Sequence, residues 1–111
     1  MHEHSLAKTL AAVIFEVIDK NKPKKPKKTT IVVGKASGVN KEFLEHSLKD
    51  HVFKGTICEN IELEFKFEEP KIKCKECGYE TTQAVTKCRC GGDNFDVISG
   101  KDTYVLEVEF S

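Results

Sequence analysis

The sequence predicts an α+β fold in which two helices pack on a roughly three-stranded sheet, with a small cysteine-rich module inserted ahead of the last strand. Three observations carry this expectation. Apolar residues recur at spacings of three and four in two segments, they alternate with charged residues in two others, and four of the cysteines crowd into the stretch between residues 74 and 90.

The first helix is predicted over about residues 4–20, where Leu6, Leu10, Val13, Ile14, Val17 and Ile18 stack along one face and Ser5 is placed to cap the start. The stretch NKPKKPKK ends it, because proline removes backbone donors, and it reads as an exposed basic loop. TTIVVGKASG is rich in β-branched residues and predicts a strand over 29–36. Asn40 can cap a second helix whose inward face is Phe43, Leu44, Ser47, Leu48 and Val52, and Gly55 marks the turn beyond it. In IELEFKFEE, Ile61, Leu63, Phe65 and Phe67 alternate with Glu62, Glu64, Lys66 and Glu68, the pattern of a half-buried strand. TYVLEVEF repeats it with Tyr104, Leu106, Val108 and Phe110, so these two strands are expected to pair. The resulting division is residues 1–70 plus 99–111 as the α/β domain and residues 71–98 as the inserted module, which holds too few large apolar groups to fold without a staple.

Charge narrows the function. Eighteen basic and 18 acidic residues balance to zero, so no overall field attracts nucleic acid or an anionic membrane. A membrane span would need a run of about 18 apolar residues, and none occurs; the start also lacks the apolar core of a signal peptide. The expected location is cytoplasmic, and thiols in such a compartment bind metal more often than they form disulfides.

Cys74-Lys-Glu-Cys77-Gly-Tyr and Cys88-Arg-Cys90-Gly-Gly supply two pairs of thiolates. Four thiolates satisfy tetrahedral zinc and leave no position for water, so the expected Zn(II) is structural and the module zinc-ribbon-like. The second pair is tighter than the usual C-x2-C, which makes Cys88 the least secure ligand. Cys58 stands apart and reads as a small buried residue.

The opening MHEHS has its own chemistry. An α-amine at Met1, the deprotonated backbone nitrogen of His2 and the His2 imidazole can wrap one ion in adjoining chelate rings, a planar nitrogen set suited to nickel(II) or copper(II). Glu3, His4 or a group from elsewhere would fill the fourth place. On residue chemistry alone, a frayed polar terminus remains the alternative.

MHEHSLA, the helix after it, the strand ending in a glycine-containing turn, Phe53-Lys-Gly-Thr56 and the cysteine module between two alternating strands together resemble the HypA family of nickel chaperones for nickel-iron hydrogenase maturation. The resemblance implies that His2 is the essential nickel ligand, assisted by the Met1 amine and Glu3, and that Cys74, Cys77, Cys88 and Cys90 hold structural zinc. It further implies Ni(II) as transported cargo, and a nickel-delivery GTPase and the hydrogenase large-subunit precursor as partners. His4 stands where the family commonly has an aromatic or apolar residue, so an added ligand and a solvent-facing residue are both open. A monomer and a homodimer fit equally.

The rival reading is a zinc-ribbon nucleic-acid-binding module, drawing on Lys22, Lys24, Lys25, Lys27 and Lys28 and on Lys71, Lys73, Lys75, Lys87 and Arg89. Zero net charge opposes it. No enzyme is expected. His46 and His51, five apart on the second helix, should point to different faces and read as surface residues; Glu62, Glu64 and Glu68 read as a solvated sheet face.

Overall fold

The computed structural model describes residues 3–83 and 85–111. Its elements are α1 (Glu3–Lys20), β1 (Pro26–Gly34), a short 3-10 turn (Lys35–Ser37), α2 (Lys41–Ser47) running on into a π turn (Leu48–Val52), β2 (Glu62–Glu68), β3 (Lys71–Cys74), β4 (Glu80–Thr81), β5 (Phe95–Ser99) and β6 (Thr103–Phe110). The α+β expectation stands: two helices pack on a mixed sheet, and a second small sheet carries the cysteines. The molecule is elongated, 56 × 25 × 17 Å.

The larger sheet has the order β2-β1-β6. β1 runs parallel to β2 and antiparallel to β6, so the two alternating strands flank β1 and do not pair with each other as expected. The reason lies in β1 itself. Its residues from Thr29 to Gly34 are buried on both faces, as a central strand requires, and Thr29 and Thr30 satisfy their hydroxyls by donating to the Glu107 carbonyl (2.9 Å) and the Glu64 carboxylate (3.1 Å). β1 also starts earlier than expected, at Pro26, so the second half of the lysine-proline stretch belongs to the sheet.

α1 begins at Glu3, which puts Ser5 inside the first turn and not at the cap; the Ser5 carbonyl accepts from Thr9. Leu6, Ala7, Leu10, Ala11, Ile14 and Ile18 form its buried face, joined by Ile31, Val33, Leu44, Leu48, Phe53 and Ile61. Two expected core residues are turned out: Val13 on α1 and Phe43 on α2 are 45% and 63% exposed. Small alanines at 7 and 11 let α1 lie close to its neighbours, so the contact stripe shifts toward them and away from Val13. Asn40 caps α2 as expected, its side chain accepting from the Phe43 amide at 3.0 Å.

β6 departs from strict alternation. Thr30 aligns with Glu107 while Ile31 aligns with Val105, leaving Leu106 as a bulged extra residue. Val105, Val108 and Phe110 therefore pack on the core, whereas Tyr104 and Leu106 face outward. On β2, Leu63 and Phe65 reach the core, but Phe67 lies at the open end of the sheet, 54% exposed.

Where the larger sheet hands the chain to the smaller one, backbone meets backbone. The Gly34 amide donates to Asp102 O (2.9 Å) and the Ala36 amide to Gly100 O (2.8 Å). Gly100 has φ +75°, and a Cβ there would fall 2.5 Å from the Glu69 carbonyl oxygen. No larger residue fits this junction.

Candidate metal centres

The smaller sheet, ordered β4-β3-β5, positions the cysteines. Cys74 ends β3 and is buried; its amide donates to Tyr79 O at 2.8 Å while its carbonyl accepts from the Gly78 amide at 3.0 Å. That closes the first turn around Cys77. In the second, the Cys88 amide donates to Gly92 O at 2.7 Å and its carbonyl accepts from the Gly91 amide at 2.9 Å. Gly78 and Gly91, with φ of +78° and +94°, take the left-handed conformation that lets both turns close. Gly91 is the answer to the tight C-x-C spacing: it folds the chain back one residue after Cys90, so both sulfurs of the pair face the first turn. Arg89 stacks on Tyr79, 4.5 Å from guanidinium to ring centre, and links the two turns.

The four sulfurs converge. Cys74 and Cys90 Sγ are 3.7 Å apart, Cys77 and Cys88 Sγ 3.5 Å, and all four lie within 4.8 Å of one another. A tetrahedral ion with bonds of about 2.3 Å to sulfur needs edges of about 3.8 Å, so the quartet fits one such ion. Cys88 is buried like Cys74, whereas Cys77 and Cys90 are exposed, and its sulfur lies with the other three. Backbone amides of Cys77 and Glu76 lower the Cys74 thiol to about 7, so it reaches the thiolate form near neutral pH. The Gly92 amide pulls Cys90 down as well, but the neighbouring thiols of Cys77 and Cys88 outweigh it and push Cys90 up to about 12. Crowded thiols of this kind cannot all ionise without a cation among them. Among the described residues, no other set of three or more histidine, cysteine or acidic side chains comes together this way.

The expected terminal ligands are placed only in part. Met1 and His2 lie outside the described residues. Glu3 opens α1, and its carboxylate accepts from the Asn40 amide at 3.2 Å, tying the start of α1 to the start of α2. His4 is exposed, and its ring meets His51 edge-on with centroids 5.9 Å apart. His51 in turn meets His46 at 5.2 Å. The expectation that His46 and His51 point apart is therefore wrong. In a regular α-helix residues five apart differ by about 140° around the axis. Here the Phe53 amide bonds to Leu48 O at 2.8 Å, an i→i+5 turn that brings such residues nearly into line. Nothing in the sequence signals a π turn, so this contact was not readable from it.

The fifth cysteine, Cys58, is fully buried, and burial pushes its thiol up to about 11. No helix among the described residues is long and apolar enough to cross a membrane.

A helix-backed mixed sheet joined to a second small sheet with four converging cysteines defines a metal-binding protein. The family model described as hydrogenase/urease nickel incorporation, metallochaperone, hypA matches residues 1–110, and the chain belongs to the HypA family. Proteins named hydrogenase maturation factor HypA from Aquifex aeolicus and Caldanaerobacter subterraneus subsp. tengcongensis are 34% and 33% identical to it, each alignment covering 98% of this chain and 96% and 98% of the relative. The solution structure of the Ni metallochaperone HypA from Helicobacter pylori has the same fold, with a TM-score of 0.77 at 22% identity over 99% of this chain and 97% of that one. A second solution structure, of a HypA protein, superposes with a TM-score of 0.80 at 23% identity, covering 100% and 97% of the two chains. Members of this family are chaperones, and the chain is not an enzyme.

Proposed function

We propose that this protein is a nickel metallochaperone that delivers Ni(II) during maturation of nickel-iron hydrogenase, working by ligand exchange at its N-terminus. The observation that carries the reading is the family match, which runs over residues 1–110 and so includes both the terminus and the cysteine module. Nickel is bound by the Met1 amine, the His2 backbone nitrogen and the His2 imidazole, with Glu3 assisting. Glu3 Oε2 accepts from the Asn40 amide, and a carboxylate has acceptor positions beyond that one to lend. His4 is turned toward His51.

In the same reading, residues 1–70 and 99–111 form the nickel-binding domain, and residues 71–98 form a module held by structural Zn(II) on Cys74, Cys77, Cys88 and Cys90. The ion neutralises the thiolates and fixes the two turns; with four sulfur ligands it leaves no site for substrate. The partners are a nickel-delivery GTPase, since this chain has no phosphate-binding glycine loop of its own, and the hydrogenase large-subunit precursor. An incoming partner ligand displaces one of the terminal donors, and nickel leaves with it.

The nucleic-acid reading loses ground on the surface charges. Lys71 pairs with Glu80 (3.0 Å), Lys75 with Asp96 (3.3 Å) and Lys28 with Glu64 (3.2 Å), so part of that basic footprint is already neutralised by neighbouring carboxylates.

Nickel titration tests the proposal. In protein beginning at Met1, His2→Ala and a blocked amine should each weaken nickel binding at least about tenfold. Amine and imidazole bind only when deprotonated, with ordinary pKa values of about 7.7 to 8.0 and about 6.5, so affinity should fall as pH drops from 8 to 6. Equal affinity in the wild type and both altered forms would refute terminal binding.

A further inference from the structure

The helical layer holds a histidine cluster outside the cysteine module. His51 is in ring contact with His4 from α1 and with His46 from α2, at 5.9 and 5.2 Å between centroids. Rings that share one ion at metal–nitrogen distances of about 2.0–2.1 Å hold their centroids roughly 4.5 to 6.4 Å apart, so the ring centres are near enough for a common ion, but their nitrogens do not converge as the four cysteine sulfurs do, and rings must turn before they can close on one. His46 is also oriented. Its Nδ1 donates to the Asp50 carboxylate at 2.6 Å, which leaves Nε2 as the nitrogen offered to a metal, the arrangement in which a carboxylate behind a histidine ligand sets its tautomer and orientation. The π turn that aligns His46 with His51 is a distortion of the kind that recurs at functional sites.

We propose that His51, His46 and His4, backed by Asp50, form a second and weaker site for a divalent first-row ion that favours imidazole, with Ni(II) and Cu(II) as its natural occupants. The three rings are exposed; His4 and His51 turn to close on an ion beside His46, which Asp50 holds, and this suits fast exchange better than storage. His4 lies two residues from His2, so an ion held here sits beside the terminus. Its role as a resting place for nickel in transit rests on the nickel-carrier reading; the binding itself rests only on the imidazoles.

The test uses zinc-replete protein carrying His2→Ala, which removes the terminal site. Nickel titrated into this variant should still give one weak binding step. Adding His51→Gln should weaken that step at least about tenfold, and adding His46→Gln or His4→Gln should weaken it about three- to tenfold. Paramagnetic nickel should broaden the His51 ring resonances in His2→Ala protein at the midpoint of that step. His51 is exposed, so its substitution leaves the fold intact, which an amide NMR spectrum verifies. Superimposable isotherms for His2→Ala with and without His51→Gln would overturn the proposal, as would unbroadened His51 resonances. Failure of the terminal reading is distinguishable: wild type and His2→Ala would then bind alike, while the His51-dependent step persisted.

Discussion

Cys58 shows how one side chain separates packing from chemistry. It is enclosed by the core next to Ile61 and Phe53, and burial disfavours its thiolate, raising the pKa from 9.0 to about 11. In the unfolded chain the thiol loses its proton near 9, whereas the folded chain retains it to about 11. Folding is therefore fully supported below pH 9, and support is lost as pH rises from 9 to 11. Urea midpoints measured across that window should fall in the zinc-replete wild type and fall less in Cys58→Ala; parallel curves would contradict the burial argument. Cys88 makes the opposite prediction. Because Gly91 folds its pair back onto the first turn, Cys88→Ser should weaken zinc binding as severely as Cys74→Ser, as read by competition with a chromophoric chelator. Ordinary zinc affinity in Cys88→Ser would return that position to the doubt its sequence spacing raised.

At the scale of elements, the sheet depends on its glycine junction and on the stripe of α1. Gly100→Ala forces a side chain into a left-handed backbone against the Glu69 carbonyl and should cost about 1–3 kcal/mol in denaturant unfolding. Ile14→Ala empties a fully buried position and should cost about 2–5 kcal/mol. What the sequence disclosed follows the range of the forces involved. The Asn40 cap and the two cysteine turns were legible because each is settled within a few residues. The inward sides of Val13, Phe43, Tyr104 and Leu106 were misread, because a helix contact stripe and a bulge opposite Thr30 and Ile31 are decided by partners far along the chain. The histidine cluster needed both a π turn and the docking of α1 beside it, and periodicity reports neither.

The whole molecule combines two three-stranded sheets whose surroundings differ in how much apolar surface they bury. Residues in α1, α2 and the larger sheet bury an apolar core, whereas among its described residues the ribbon buries only Cys74, Cys88 and Gly92. An ion bound to the four sulfurs would then supply much of the ribbon's folding free energy. Chelator treatment should release amide protection in residues 71–98 while residues 6–18 and 29–34 stay protected in hydrogen exchange; simultaneous loss in both would show one cooperative unit. In the proposed function the same division sorts the metals, sulfur for zinc and nitrogen for nickel, and the carrier role rests on their separation. X-ray absorption at the nickel and zinc edges, on protein beginning at Met1 and loaded with one equivalent of each ion, tests that separation most directly. The account predicts four sulfur scatterers at zinc and only nitrogen and oxygen at nickel; sulfur in the nickel shell would contradict it.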